Sequence, residues 1–437
     1  MIIVQSEKRR FMSHIGERIK RVRKEKKLTL TQVAGNHMSA AMVSLIENGK
    51  TKPTVQTLQH IAGQLSVDTA DLMGELNRED LRKVLKELKE QFEAQPSTIH
   101  KIIERLHETL PKLSTNYESA RLYEWYARLL FWNYQEHRGE NDFVKFDDWK
   151  EPALKAREIY EYLQMDTYVV KVEMFLIQVE YSQANYYETI KKIHALLNQM
   201  EGYENTRELI SNKILLKQLL ADSESGIGNL DRAYELIKEA LSVAKKELIF
   251  DYFYWQHNTA VLLNYNVGRN DIAHKHLEEI EKFADLAENP ILTLEKLLIE
   301  AHYQEFFEND PKRALNTCRQ IREEFEKTTG YVNYMLEGFN KHIDEQEARC
   351  YTKLKQPEKA LGLFREELRS IYIQDHPFDR SLREIMYSYR AYCYQQLGRT
   401  DEAVKEAEIA VEKLKTYPHT EYYQFAREVL RNIKALK

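Results

Sequence analysis

The chain has 437 residues, enough for two or three domains or for one domain followed by a repeat array. Its net charge of −5 is unevenly distributed. Residues 1–60 carry 12 Lys and Arg against 4 Asp and Glu, whereas the remaining residues carry 52 against 65. A basic N-terminus ahead of an acidic remainder predicts that only the N-terminus approaches a polyanion.

Several classes of protein are disfavoured by composition and motif content. Three widely spaced cysteines, Cys318, Cys350 and Cys393, make neither a disulfide framework nor a zinc site. The chain has no apolar run of about 18 residues and no signal peptide at its start, so we expect a cytoplasmic protein without a membrane partner. We find no glycine-rich phosphate loop, nucleophile elbow or metal-binding histidine pair. The sequence therefore predicts no enzymatic activity, no cofactor and no metal.

Residues 14–74 carry the pattern of a small helical domain, preceded by residues 1–13 as a flexible arm. Ile15 and Ile19 fall at helical spacing and indicate an amphipathic first helix. Thr29 and Gln32 predict a capping box at the start of a short second helix.

The segment from Ser39 to Pro53 indicates the second helix of a helix-turn-helix, the helix that enters the major groove of DNA, followed by a basic loop. Val43 and Ile46 are expected to face the core. Thr54 is expected to begin a fourth helix.

This stretch resembles the phage-repressor-like (XRE) helix-turn-helix family over roughly residues 14–74. The resemblance rests on Ile15–Ile19, Arg23, Val33–Ala34, Ile46–Lys50 and Leu58 with Ile61–Ala62. It implies a five-helix DNA-binding domain. It also implies a partly buried ion pair between Arg23 and Glu47, which locks the first helix to the recognition helix.

The same resemblance implies which residues contact DNA. Side chains at the end of the recognition helix and in the basic loop contact phosphates, and these are Asn48, Lys50 and Lys52. The residues facing base edges are Ser39, Ala40, Ala41, Ser44 and Leu45.

The sequence departs from the family in two ways. Leu30 replaces a glutamine that binds phosphate, and the groove-facing set lacks the Arg, Asn or Gln that make bidentate base contacts. We therefore expect specificity to depend on DNA shape, half-site spacing or a dimer. The alternative is a helical protein-binding domain with the same pattern.

Residues 75–95 are predicted to form a charged linker helix, and residues 96–437 a helical repeat array. Small residues recur every 40 to 46 positions, in the second helix of each predicted unit. These repeat anchors are Thr189, Ala233, Ala273, Ala314, Ala360 and Ala403.

A tight-turn signature precedes three of the repeat anchors. Gly228, Gly268 and Gly398 each lie five residues before an anchor, with an acidic residue between. We expect the glycine to end the first helix, the acidic residue to cap the second, and the anchor to lie where the paired helices touch.

These units resemble tetratricopeptide repeats, although they exceed the usual length of roughly 34 residues. The resemblance implies an all-α chain in which the repeats form an α-solenoid. Roughly seven to nine helical hairpins would then make a right-handed superhelix with a concave inner face.

A helix-turn-helix domain followed by such an array resembles the cytoplasmic peptide-pheromone receptors of Gram-positive bacteria (the Rap–NprR–PlcR–PrgX group). The resemblance implies a transcriptional regulator of quorum-sensing type. Its array binds a short signalling peptide and thereby controls the geometry of a homodimer on double-stranded operator DNA. The alternative is a protein-docking regulator whose array binds a response regulator or another protein.

Counting back from the repeat anchors predicts which residues of the first helices face the peptide. Asn258 is the strongest candidate for binding a peptide backbone, because an asparagine inside a helix brings no helix stability. The full predicted set is Gln178, Gln218, Asp222, Trp255, Asn258, Tyr303, His342, Arg349 and Tyr392.

Overall fold

The computed structural model describes residues 15–67, 69, 72, 78–94, 99–110, 113, 115–137, 148–327, 333–364 and 376–435. The regular secondary structure of these residues is entirely helical. The chain divides into two compact units, residues 1–172 and residues 173–437. The predicted arm at residues 1–13 lies outside the described residues. None of the described helices combines the length and apolar character needed to cross a membrane.

The first unit begins with the predicted helix-turn-helix. Its helices are α1 (residues 15–25), α2 (Leu30–Ala34), α3 (Ala40–Glu47) and α4 (Val55–Leu65). The fifth helix that the resemblance implies would fall mostly outside the described residues. The apolar positions of these helices close one core, which includes Ile19, Val43 and Ile61 with no exposed surface.

Local capping fixes where these helices begin. The predicted capping box is confirmed: the Thr29 side chain accepts from the Gln32 amide, and the Gln32 side chain accepts from the Thr29 amide. Ser39 caps α3 and Thr54 caps α4 in the same way, because their hydroxyl oxygens accept from the backbone amides of Met42 and Thr57. Each cap satisfies an amide that has no partner within its helix. These capping residues therefore fix where each helix begins, including the first residue of α3.

Four further helices lie wholly within the first unit. They are α5 (Arg78–Ala94), α6 (Ile99–Thr109), α7 (Tyr117–His137) and α8 (Lys150–Tyr162). The helix predicted as a linker, α5, packs against α6 and α7. Its Arg82 pairs with the buried Glu118 carboxylate at 2.7 Å. This segment is therefore part of the packing of the unit rather than a free connection.

The second unit is a series of helical hairpins. A ninth helix, α9 (Asp166–Ser182), contains the boundary between the two units. The following helices are α10 (Tyr186–Met200), α11 (Arg207–Gly226), α12 (Leu230–Glu247), α13 (Phe253–Asn266), α14 (Asn270–Leu286), α15 (Pro290–Phe306), α16 (Pro311–Lys327), α17 (Asn333–Lys353), α18 (Pro357–Leu363), α19 (Pro377–Glu384), α20 (Met386–Gln396), α21 (Thr400–Leu414) and α22 (Glu421–Ala435).

The six repeat anchors mark this packing, as predicted. Each is the fourth residue of its helix, and each is completely buried. A residue with positive φ lies five positions before every anchor. Three of those residues are the predicted glycines, whereas the other turns use Ala184, Asn309 and Lys355. The turn geometry is thus common to all six hairpins, although glycine supplies it in only half of them.

The predicted role of the acidic turn residues is wrong. Asp231, Asp271 and Asp401 lie in the first turn of their helices, and the capping positions are held by other residues whose side chains make no capping bond. A carboxylate at this position still favours the helix, because the first turn carries a partial positive charge.

Late helices of the second unit return to its early helices. The Arg380 guanidinium of α19 donates to the carbonyl oxygens of Tyr181 and Ser182, at 3.4 and 3.2 Å. The hydroxyls of Tyr186 and Tyr417 lie 3.1 Å apart. These contacts join residues about 200 positions apart, and no repeat pattern in the sequence indicates them.

The three cysteines are buried. Burial raises the pKa of the Cys318 thiol to about 12 and that of Cys393 to about 11. Because the thiolate is the reactive form, these side chains act as small packing groups at neutral pH.

Candidate DNA-binding surface and ligand cavity

The outer face of α3 is mostly small and uncharged. Ser39, Ala41 and Leu45 are exposed, whereas Ala40 and Ser44 are half-buried. Met42 is exposed to the same 40% as Leu45, although the sequence did not single it out. Such a surface can approach bases closely and can contact thymine methyl groups, but it offers few hydrogen bonds to discriminate between bases.

Basic side chains flank this helix. Lys50 and Lys52 are exposed in the loop that follows α3. Asn48 is partly occupied within the protein: its Oδ1 accepts from Lys20 at 3.2 Å, and its Nδ2 donates to the Ser44 carbonyl at 2.8 Å. A phosphate near Asn48 would therefore also meet the Lys20 ammonium.

Arg23 and Glu47 join α1 to α3. The Arg23 guanidinium donates to both Glu47 carboxylate oxygens, at 2.5 and 2.8 Å, and also to the Leu28 carbonyl at 3.1 Å. The Glu47 side chain is 3% exposed and that of Arg23 is 13% exposed. The bond to Glu47 raises the pKa of Arg23, with burial opposing it. The pair is bidentate and largely screened from water, so it fixes the orientation of α3 on the domain.

A cavity of about 250 Å³ lies within the second unit. Its wall comes from the first helices of four successive hairpins, α11, α13, α15 and α17, and from α19. The residues lining it are Leu215, Gln218, Leu219, Asp222, Tyr254, Trp255, Asn258, Thr259, Leu262, Glu295, Leu298, Ile299, His302, Phe339, His342, Glu345, Gln346, Arg349, His376, Asp379, Leu382 and Arg383.

Each inner helix contributes the same stripe. Along α11 the lining positions are Leu215, Gln218, Leu219 and Asp222, at spacings of three, four and seven residues from the first. The stripes of α13 and α15 repeat these spacings. Residues so spaced share one face of a helix, so stacking the hairpins side by side produces a continuous wall.

The structure brings together six of the nine residues predicted to face the peptide: Gln218, Asp222, Trp255, Asn258, His342 and Arg349. Three others lie away from the cavity. Gln178 is half-buried in α9. Tyr392 is half-buried and packs near Phe425, with ring centroids 6.1 Å apart.

Tyr303 was predicted to face the peptide but does not line the cavity, and the reason is geometric. Its ring is buried and stacks on Tyr265 at 3.8 Å between centroids, inside a hydrophobic cluster. The turn before α16 has four residues, Phe307–Asp310, whereas the other anchored turns after α11, α13, α17 and α20 have three. One additional residue rotates the preceding helix by about 100° relative to the anchor. His302 consequently faces the cavity in place of Tyr303.

Other lining residues were missed for two different reasons. Glu345 lies 15 residues before its anchor, as do Gln218 and Asn258, so the repeat register could have found it. His376, Asp379 and α19 as a whole follow no repeat anchor, and only the tertiary structure brings them to the cavity.

Several buried polar atoms on the cavity wall have no hydrogen-bond partner. They include the carbonyl oxygens of Gln218 and Asn258, a Glu345 carboxylate oxygen, and His376 Nε2. An unpaired buried polar group costs about 1–3 kcal/mol, so most are satisfied in a folded protein. A ligand in the cavity could supply hydrogen-bond partners to these atoms.

Burial also shifts the ionisation of the cavity groups. It raises the pKa of Asp222 to about 8 and that of Glu345 to about 7. It lowers the pKa of His376 to about 3 and that of His302 well below its usual value. The two acids therefore titrate near neutral pH, while the rings of His302 and His376 stay uncharged.

A buried charged network includes two of the lining residues, His302 and Arg349. The Glu305 carboxylate has no exposed surface, forms an ion pair with Lys353 at 2.9 Å and accepts from the Tyr389 hydroxyl at 2.6 Å. Arg349 lies with its Nε 3.8 Å from Glu305 and its Nη1 3.4 Å from the His302 ring. This network holds Arg349 against the cavity wall.

Comparison with known proteins agrees with the N-terminal geometry. Residues 19–72 match the family described as Helix-turn-helix. An immunity repressor protein of Bacillus phage phi105 is 37% identical over 62 residues, which are 14% of this chain and 43% of that protein. Residues 19–72 are thus a helix-turn-helix domain. The chain spans less than half of this curated relative.

Solved structures also overlap with the chain, at low similarity. PlcR of Bacillus thuringiensis, in complex with the peptide PapR7 and DNA, is 15% identical, with a TM-score of 0.34 over 63% of this chain and 96% of that one. The SHP pheromone receptor Rgg2 of Streptococcus dysgalactiae is 12% identical, with a TM-score of 0.29 over 64% of this chain and 98% of that one.

Proposed function

We propose that this protein is a transcription regulator of quorum-sensing type. Its helix-turn-helix domain binds operator DNA as part of a homodimer, and the cavity of its second unit binds a short peptide. Occupancy of the cavity controls how the two DNA-binding domains of the dimer are presented to the operator.

The observation that carries the peptide proposal is a pair of side-chain amide oxygens without a hydrogen-bond donor, on neighbouring hairpins. Gln218 and Asn258 occupy the same repeat position on α11 and α13, and the carbonyl oxygen of each lacks a donor. A peptide in extended form presents backbone N–H groups at regular intervals. Apolar wall residues such as Leu262 and Phe339 would accommodate its side chains.

The DNA proposal rests on the position of the charges around α3. The helix itself is uncharged on its outer face, so groove entry brings no repulsion, and Lys50 and Lys52 lie where α3 ends. Basic groups beside the groove contact phosphates, which makes binding depend strongly on salt.

DNA binding is tested with the full chain and the promoter fragment upstream of its own coding sequence. We expect preferential binding over an unrelated fragment of equal length, with affinity decreasing as salt increases. Lys50→Ala with Lys52→Ala should weaken binding to both fragments and reduce the salt slope by about 2. The DNA proposal fails if the promoter fragment is not preferred at low salt.

Peptide binding is tested by incubating the full chain with a mixture of short synthetic peptides and identifying the retained ones by mass spectrometry. The best retained peptide is then titrated by calorimetry. Asn258→Ala should reduce its affinity about five- to a hundredfold, because a buried hydrogen bond is lost. Asn198→Ala, an exposed helical asparagine outside the cavity, is the matched control. If no peptide is retained, the protein-docking alternative is favoured.

A further inference from the structure

Most of the polar atoms around Asp222 that lack a hydrogen-bond partner are acceptors. Gln218 Nε2 already donates to Asp222 Oδ1 and to Thr259 Oγ1, both at 2.8 Å, which leaves the Gln218 carbonyl oxygen unpartnered. The carbonyl oxygen of Asn258, beside Thr259 on α13, is also unpartnered. The side chain of Gln218 is only 4% exposed. A ligand that meets these atoms must bring donors.

The Asp222 carboxylate has neutral partners. Its Oδ1 accepts from Gln218 at 2.8 Å and from the Thr259 hydroxyl at 3.4 Å. Among the described residues, the one basic nitrogen within 4.0 Å of this carboxylate is His376 Nε2, at 3.9 Å. This distance is too long for a hydrogen bond.

His376 does not neutralise the carboxylate. Its Nδ1 accepts from the Phe378 amide at 3.1 Å, so the proton of the neutral ring is on Nε2. That nitrogen has no hydrogen-bond partner and lines the same cavity. Burial keeps the pKa of the ring at about 3, so it carries no charge at neutral pH.

The other groups around Asp222 leave its charge largely uncompensated. Asp379 from α19 adds negative charge and Arg380 adds positive charge, while Tyr186 is an uncharged neighbour. The Arg380 guanidinium donates to the backbone carbonyls of Tyr181 and Ser182. Burial dominates, and the pKa of Asp222 rises to about 8. A buried carboxylate of this kind is stabilised by a cation placed against it.

We propose that the corner formed by Asp222, Gln218 and Asn258 is an ammonium subsite, which holds a primary amine of the ligand. A primary ammonium supplies three N–H donors and one positive charge, which match an acceptor-rich corner containing one carboxylate. The amine is either the α-amino group of a peptide or a lysine side chain. This inference rests on the proposed peptide function and specifies which ligands the cavity accepts.

A linked change in protonation accompanies binding. At pH 7 the empty subsite holds Asp222 mainly as the neutral acid, because its pKa is about 8. An ammonium favours the carboxylate, so binding releases the Asp222 proton to solvent. Release is greatest below pH 8 and disappears well above it, where the empty site is already ionised.

The test uses the full chain and three mixtures of short synthetic peptides. The first has free amino termini and no Lys or Arg. The second is N-acetylated and contains Lys, and the third is N-acetylated without Lys or Arg. We expect the third mixture to be retained at least about tenfold less than the better of the other two. Retention of the first mixture identifies the α-amino group as the ligand amine, and retention of the second identifies a lysine side chain.

Asp222→Asn should remove this preference, because it keeps the shape of the side chain and deletes the charge. Asp271→Asn, an exposed acid on α14, is the matched control with the same change in charge. Calorimetry at pH 7 in two buffers of different ionisation enthalpy should show proton release for wild type and for the control, and clearly less for Asp222→Asn, in which Glu345 still titrates. The peptide comparison on wild type does not depend on whether the variant folds.

The outcomes separate the two proposals. Equal retention of the third mixture overturns the ammonium subsite and leaves peptide binding intact. If no mixture is retained, the peptide proposal fails, and a titration with pentylamine decides the subsite. Binding of pentylamine by wild type and not by Asp222→Asn supports the subsite, whereas binding by neither overturns it.

Discussion

The interior of the DNA-binding domain and the interior of the second unit are built on opposite principles. Apolar side chains fill the first, and its buried charges, Arg23 and Glu47, satisfy each other in a bidentate pair. The inner helices of the second carry buried amides, acids and imidazoles, and single oxygen atoms of some, such as Gln218 and Glu345, have no hydrogen-bond partner. The first arrangement holds one surface in a fixed orientation. The second leaves free energy to be gained when a ligand supplies the missing partners.

Breaking the ion pair of the first region should have the largest effect. Glu47→Ala leaves the Arg23 guanidinium largely buried without its partner, which we expect to cost about 3 kcal/mol. Hydrogen exchange measured by mass spectrometry should show loss of protection in residues 15–67 and unchanged protection in the second unit.

Arg21 and Glu25 supply the control for this experiment. They form an ion pair at 3.8 Å on the same domain, with both side chains about two-thirds exposed. Glu25→Ala should leave protection unchanged, since exposed pairs contribute little. Equal effects of the two substitutions would contradict a special role for the buried pair.

The tight crossing of α1 over α3 gives the next largest effect. A Cβ on Gly16 would overlap the carbonyl oxygens of Ile46 and Glu47, at 2.8 Å from the latter. Backbone atoms cannot move aside as a flexible side chain can, so Gly16→Ala should destabilise the domain by about 1–3 kcal/mol. DNA affinity should decrease as well, because α3 must shift.

Gly63 is the matched position for that substitution. It is also helical and lies in the same domain, but no atom lies within 4 Å of the Cβ that a substitution would add. Gly63→Ala should therefore stabilise the domain by about 0.5–1 kcal/mol. The domain's unfolding in urea provides the measurement, and destabilisation by both alanines would argue against the close crossing.

The buried acids of the second region predict a dependence of stability on pH. Between the unfolded pKa of Asp222, near 3.8, and its folded pKa, about 8, the folded state binds more protons than the unfolded state. Stability of the second unit should therefore decrease as pH rises through this interval, and level off above it.

Thermal unfolding between pH 6.5 and 8.5 isolates this effect, because histidines with lowered pKa contribute below about pH 6.5. Asp222→Asn should make the pH slope shallower, whereas Asp271→Asn should leave it unchanged. A residual slope is expected from Glu345, whose pKa is raised to about 7. A variant with the slope of wild type would show that Asp222 ionises normally.

The register of α15 predicts the smallest effects. Tyr303 lies inside a hydrophobic cluster, whereas His302 lines the cavity. Tyr303→Phe should therefore change peptide affinity by less than about twofold, as expected for a residue that does not contact the ligand. His302→Gln should weaken binding several-fold. Calorimetry with the retained peptide compares the two variants. A larger loss of affinity for Tyr303→Phe than for His302→Gln would show that Tyr303 faces the peptide, as the repeat register predicts.

Much of this organisation is local in origin, and the sequence alone was sufficient to determine it. Capping at Thr29 and the apolar spacing of Ile15 and Ile19 involve neighbours within a few residues, so short patterns predict them. The repeat anchors are likewise predictable, because each hairpin must place a small residue where its two helices cross. All nine residues predicted to face the peptide were derived from this register, and six of them line the cavity.

The tertiary structure decided what depends on distant parts of the chain. One additional residue in the turn before α16 rotates His302 into the cavity and Tyr303 out of it, and a pattern based on anchors cannot detect this rotation. His376 and Asp379 reach Asp222 because α19 packs against α11, far away in sequence. The ionisation of Asp222 follows from that packing, because burial arises only when all the surrounding helices are in place.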